Sequence, residues 1–207
     1  MKAILLLLLS LCSAAVAATR TTTLKNDKVV GYEEALRPTE TEAASAALPS
    51  LTVFLNDGVI QRTPDGGKAV TTAVKRGEVL FRGPRDGKIT ASGFAEIRFM
   101  RIEFSAPESK TMWGTTGFAP DYKMLVENGY ARTYDIRIPA GKSEPQHTHH
   151  DRVVVCLSGA QLRHVLPDGH EEDSTLKTGE CLWRRGQTHI GKNIGATDLW
   201  VIAIEPK

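Results

Sequence analysis

The stretch Gly141-Lys-Ser-Glu-Pro-Gln-His147-Thr-His149-His150-Asp151-Arg152-Val-Val-Val-Cys-Leu-Ser-Gly159 carries three of the six histidines of the chain, and no histidine precedes it. Residues two apart on a strand point to one face, so His147 and His149 can enter the same interior. By the same alternation His150 faces away and reads as a surface residue. A third imidazole follows in Gly179-Glu-Cys-Leu-Trp-Arg-Arg-Gly186-Gln-Thr-His189-Ile-Gly-Lys-Asn193. Three neutral imidazoles converging from two strands fill one side of a coordination sphere and leave the other side open. Iron, zinc, manganese, nickel and copper all accept such donors, so the metal is left open.

Working outward, the same phrases recur. Val53-Phe-Leu-Asn-Asp-Gly58, Thr63-Pro-Asp-Gly66, Lys75-Arg-Gly-Glu-Val-Leu-Phe-Arg82 and Phe99-Met-Arg-Ile-Glu103 are echoed in order. Their echoes are Val155-Cys-Leu-Ser-Gly159, Leu166-Pro-Asp-Gly169, Lys177-Thr-Gly-Glu-Cys-Leu-Trp-Arg184 and Val201-Ile-Ala-Ile-Glu205. Gly77 and Gly179 are 102 residues apart, as are Glu103 and Glu205; Pro64 and Pro167 are 103 apart. Upstream, Leu24–Val30 aligns with Leu125–Ala131, 101 residues on. The chain is therefore two copies of a unit of about 100 residues. At the common offset His147, His149, Arg152 and His189 fall on Ser45, Ala47, Ser50 and Gly87, so the first copy has lost every ligand. It reads as a structural barrel that supports the second, with a metal-free ligand pocket as the alternative.

Both copies read as β. Apolar and polar residues alternate through Ala131–Ile138 and Ala95–Phe104. Each Pro-Asp-Gly lies between apolar runs and predicts a hairpin. Only Glu40–Ala47 has helix-forming composition, without an apolar face. Ser105–Lys123, with two prolines and two glycines, is the expected connector.

The histidine stretches resemble the two motifs of the cupin superfamily. Gly141 with five residues to His147-Thr-His149, Arg152 with six to Gly159, Gly186-Gln-Thr-His189 and Asn193 keep the spacing of that family. With both copies counted, the resemblance covers residues 18–207 and implies a bicupin: an all-β chain of two tandem jelly-roll barrels. The expected division is a leader at 1–17, a degenerate barrel at 18–104, a connector at 105–123 and a histidine-bearing barrel at 124–207. It also implies a divalent transition metal on His147, His149 and His189. Two positions depart from the family: its carboxylate ligand falls on Arg152, and its second-motif proline on Arg184. Arginine cannot ligate a metal. Asp151, on the strand parity of His147 and His149, is then the alternative carboxylate.

Met1-Lys2, an apolar run to Leu11 and Ala15-Val-Ala17 have the three parts of a secretory leader. That predicts cleavage near Ala17 and a secreted or periplasmic product. The run is too short for a span of about twenty residues, and no later segment supplies one. Hydrophobic residues make up 41% and charged residues 24%, as in ordinary globular proteins, with a net charge of +2. Without a single-signed field or a basic–aromatic pattern, nucleic acid is not the expected partner. A small molecule is, with Arg152 and Arg184 suited to hold an anion and Trp183 to wall it; a homodimer is also compatible. Tyr134 and Gln146 are further pocket candidates by position. Past the leader, Cys156 and Cys181 either bridge or sit as buried thiols. Three functions remain open. The first is a metal enzyme of dioxygenase or isomerase type, with Asp151, Tyr134 and Glu144 the available acid–base groups. The second is a non-catalytic binding module, and the third a structural pair of barrels.

Overall fold

The computed structural model describes residues 18–42, 48–63, 67–84, 86–110 and 122–207. The proposed leader, the Pro64–Gly66 turn, Ser45, Ala47 and most of the connector lie outside them. Among the described residues there is no helix, and so none long and apolar enough to cross a membrane. The first copy comprises β1 (Thr19–Lys25), β2 (Val29–Leu36), β3 (Ser50–Phe54), β4 (Gly58–Arg62), β5 (Val70–Val74), β6 (Val79–Arg82), β7 (Ile89–Ala91) and β8 (Ile97–Phe104). The second comprises β9 (Lys123–Glu127), β10 (Ala131–Ile138), β11 (His147–His149), β12 (Arg152–Ser158), β13 (Gln161–Val165), β14 (Glu171–Thr175), β15 (Cys181–Arg184), β16 (Gln187–Asn193) and β17 (Leu199–Pro206).

All pairings are antiparallel. The sheets β1-β2-β8-β3-β6 and β5-β4-β7 form one barrel, and β9-β10-β17-β12-β15 and β11-β16-β13-β14 the other. The registers repeat with the sequence: Val29 faces Phe104 and Ala131 faces Pro206; Ile60 faces Ala91 and Leu162 faces Asn193. Each of these partners is 102 residues from its equivalent. The strands on both sides of the two Pro-Asp-Gly hairpins also keep this offset, with Arg62 opposite Val70 and His164 opposite Glu172. The upstream blocks need a shift of one. Asn26 Oδ1 accepts from the amides of Lys28 and Val29, and Asn128 Oδ1 from those of Tyr130 and Ala131. Asn26 is thus the equivalent of Asn128, 102 residues away and not 101. The turn bond outranks the apolar match because an Asx turn fixes the chain reversal directly.

Alternation along the two large sheets sorts the core. Val153, Val155, Cys181, Ile202 and Ile204 point out of their barrel and meet Leu51, Val53, Met100 and Ile102 of the other in one buried cluster. The barrels therefore pack sheet to sheet. Val154, Cys156, Val201 and Ala203 point inward, with Tyr134, Ile136 and Leu162. Cys156 and Cys181 consequently lie on opposite faces of one sheet, and both are free thiols. Burial holds each thiol up at about 11, so neither is a ready nucleophile.

The inward face of the first barrel is charged. Arg82 Nη1 lies 2.6 Å from Glu42 Oε1, Arg101 also pairs with Glu42, and Arg101 Nε lies 3.3 Å from Glu34 Oε1. All four side chains are fully buried. Ser50 and Arg82 face each other there as Arg152 and Arg184 do in the second barrel.

Candidate metal centre

β11 pairs with β16 so that His147 stands directly opposite His189 and His149 opposite Gln187. Side chains of both strands then enter the second barrel together. One ligand atom from each of His147, His149 and His189 falls within 4.8 Å of the others, and all three residues are buried. The ring centroids are 4.6, 4.8 and 5.4 Å apart. His147 Nδ1 donates to Pro145 O at 2.8 Å, which turns the lone pair of Nε2 toward the cluster. His147 Nε2 and His149 Nε2 are 2.9 Å apart.

A carboxylate and a phenol complete the group. Glu144 Oε1 lies 3.4 Å from His147 Nε2 and 3.8 Å from His189 Nε2. The Tyr122 hydroxyl donates to Glu144 Oε2 at 2.8 Å and lies 3.0 Å from His147 Nε2. Its distance to His149 Nε2 is 3.4 Å. Gly191, two residues after His189, makes the room. A Cβ there would lie 2.2 Å from Glu144 Oε1. His164 packs edge-on against His189, their ring centroids 4.6 Å apart, and Glu205 Oε1 is 3.8 Å from His149 Nδ1.

Burial dominates the electrostatics. It pushes His149 and His189 down to about 2, helped by Arg152 at His149 and by His164 at His189. His147 is lowered by burial as well. Burial, followed by the charge of Glu144, raises the Tyr122 phenol. The imidazoles are therefore neutral and the phenol protonated, the forms that leave nitrogen lone pairs available. His147 Nε2 presents a lone pair to the cluster, and no hydrogen bond to Nδ1 of His149 or His189 commits their Nε2 atoms to carrying a proton. All three nitrogens are thus free to turn lone pairs on a dication. With metal–nitrogen bonds of 2.0–2.2 Å, two ligands at right angles sit about 3 Å apart, which is the His147–His149 spacing. The residues fit a divalent metal.

The other candidates sort as follows. Asp151 does not join the histidines: its carboxylate accepts from the Gly186 amide at 2.7 Å and lies 3.4 Å from Arg185 Nη1. β11 ends at His149 and β12 begins at Arg152, so strand parity is lost in the intervening turn. Glu144 takes the place expected of Asp151. His150 is exposed, and so is Gln146. Tyr134 is buried beneath Tyr122, their rings 6.3 Å apart. Arg152, Trp183 and Arg184 all border a cavity of about 470 Å³ that opens beside His149 and His189. Trp183 also packs against the inter-barrel core. The Arg152 guanidinium is anchored on His150 O and Arg185 O, and burial lowers it to about 10.

At sequence level no family model matches the chain and no curated protein matches it. Its structure matches cupins. A single-site variant of the oxalate decarboxylase from Bacillus subtilis superposes with a TM-score of 0.64 at 11% identity, over 91% of this chain and 72% of that one. AerE from Microcystis aeruginosa gives 0.62 at 12%, over 92% and 97%. A cupin 2 conserved barrel domain protein from Leptotrichia buccalis gives 0.57 at 15%, over 92% and 89%. The chain has the cupin fold. It is a two-barrel, bicupin form of it, with a histidine cluster in one barrel only among the described residues.

Proposed function

We propose that the second barrel holds a divalent transition metal on His147, His149 and His189, with Glu144 as the fourth donor, and that its cavity binds or acts on a small molecule. The observation that carries this reading is the convergence of three buried imidazoles at metal-ligand spacing, with Glu144 Oε1 3.4 Å from His147 Nε2 and 3.8 Å from His189 Nε2. The Mn(II) centres named for the Bacillus subtilis oxalate decarboxylase support manganese as the first metal to try. The metal would supply a Lewis acid at the cavity wall. The protein's own part is to keep the imidazoles neutral, to orient His147 through Pro145 and to hold a proton on Tyr122 beside the open side. The leader-like segment supports export as the setting.

The alternative, a bicupin that binds without metal or serves as structure, draws on the first barrel, whose interior is closed by ion pairs in place of ligands. Elemental analysis of the protein purified from its native compartment separates the two. One equivalent of a transition metal per chain is expected, and metal-free protein that takes up none from a Mn(II), Fe(II) or Zn(II) titration would overturn the reading.

A further inference from the structure

Arg152 is 7% exposed and sits on the inward parity of β12, alongside Val154, at the wall of the cavity. One of its nitrogens donates to two main-chain carbonyls, and among the described residues no carboxylate lies within 4 Å of its guanidinium. The buried carboxylates of Glu205 and Glu144 act on it only from beyond that distance, and a buried cation without a direct counter-ion is costly unless an anion completes it. Directly across the β12–β15 ladder stands Arg184, on the same face and at the same cavity. It too has no carboxylate within 4 Å among the described residues. Like charges opposite each other on one sheet face repel, so the pair favours an anion between them.

The first barrel shows what such an arrangement takes. Position 82, the equivalent of 184, is also arginine, and the chain's own Glu42 meets it at 2.6 Å in the barrel interior. In the second barrel the equivalent carboxylate, Glu144, is turned to Tyr122 and the histidines. There Arg152 stands beside Arg184 at an open cavity, in place of the internal ion pairs.

We propose that this cavity receives a small organic monocarboxylate, its carboxylate clasped by Arg152 and Arg184 and its apolar body laid on Ile136, Val154, Leu162 and Val201. Two planar guanidinium groups match a carboxylate in geometry as well as charge. In the metal-free protein the apolar wall residues offer a second negative group no counter-charge. Glu172 stands among its lining residues and repels one. The volume, about 470 Å³, suits a molecule of more than the carboxylate alone. The proposal deepens the reading of this cavity as a ligand site, and it does not depend on the metal.

The test uses the whole protein after metal removal by chelator, titrated calorimetrically with monocarboxylates of four to eight carbons, linear, branched and cyclic. Acetate and the matching neutral amides serve as controls. At least one of the larger acids should bind ten times or more tighter than its amide and than acetate. Arg152→Gln and the less buried Arg184→Gln should each weaken it tenfold or more, with the thermal midpoint unchanged or raised. His149→Ala should retain it. Retention of carboxylate binding by wild type that takes up no metal would support the clasp and remove the metal reading. No binding by any acid, equal binding of acid and amide, equal binding of acetate, or loss in His149→Ala with retention in both arginine variants would each overturn the proposal.

Discussion

Glu42 and Glu144 occupy the same place in the two barrels: the Glu42 amide donates to Ile89 O at 3.0 Å, and the Glu144 amide to Gly191 O at 3.0 Å. The two glutamates are 102 residues apart, and so are their acceptors. Glu42 meets two guanidinium groups, whereas Glu144 meets imidazoles and a phenol. One backbone position therefore supplies an inward carboxylate twice, once to a cation built into the chain and once to a site shaped for a cation from solution.

The two carboxylates should respond differently to loss of charge. Glu42→Gln strips the fully buried Arg82 of its direct counter-ion, leaves Arg101 with Glu34 alone, and should cost about 3–5 kcal/mol, the usual penalty for breaking a buried pair. Glu144→Gln should change stability far less but weaken metal binding. Urea unfolding of the metal-free proteins reads the first effect, and a metal titration the second. Equal destabilisation by both changes would contradict the assignment of Glu144.

The room made by Gly191 provides a second check. A Cβ at this position meets Glu144 Oε1 at 2.2 Å, so Gly191→Ala must push the carboxylate out of the cluster. Metal affinity should fall by at least the roughly tenfold that loss of a supporting group costs, with a folded barrel by circular dichroism. Unchanged affinity would remove Glu144 from the donor set.

Much of this architecture is legible in the sequence, and the misses have physical causes. The repeat, the strands and the histidine triad follow from alternation and spacing, since a period of two is a local property. The buried Arg82, Arg101, Glu34 and Glu42 do not. The large sheet of each barrel is covered on both faces, so its polar residues mark the barrel interior and not solvent. Glu144 hides for another reason: it lies outside any named strand, held inward by the Ser143–Lys192 bridge beside it and by its own amide's bond to Gly191 O. Tyr122 falls in the expected connector, one residue before β9, and nothing local signals that its hydroxyl reaches the histidines.

A backbone prediction comes from the same duplication. Thr39 has φ 71°, and its equivalent Gly141 has φ 72°. The left-handed region is costly for a β-branched residue and free for glycine. Thr39→Gly should therefore raise stability by about 1 kcal/mol, and Gly141→Thr should lower it by a similar amount. No atom lies within 4 Å of a Cβ built on Gly141, so the loss there would be conformational and not steric. Denaturant midpoints measure both, and a destabilising Thr39→Gly would contradict the equivalence.

The histidines set a pH dependence in the metal-free protein. His149 and His189 are held down to about 2 by burial, while in the unfolded chain they titrate near 6.5. Well above that value neither state binds the proton. Below it the unfolded state binds the proton and the folded state does not, so stability falls as the pH drops. Each such histidine contributes a slope of about 1.4 kcal/mol per pH unit. Buried Glu34 and Glu205, whose values are raised, act in the opposite sense and are common to wild type and variants. The informative quantity is thus the difference between wild type and His189→Asn, which should shrink the loss between about pH 6.5 and 5. Parallel profiles would show that His189 is not buried in neutral form.

The most direct test of the metal centre compares two adjacent residues. His149 points into the barrel and His150 is exposed. After reconstitution with Mn(II) and removal of excess metal, His149→Ala should carry no stoichiometric metal and remain folded, whereas His150→Ala should retain one equivalent per chain like the wild type. Metal retained by His149→Ala, or lost from His150→Ala alone, would contradict the centre as described.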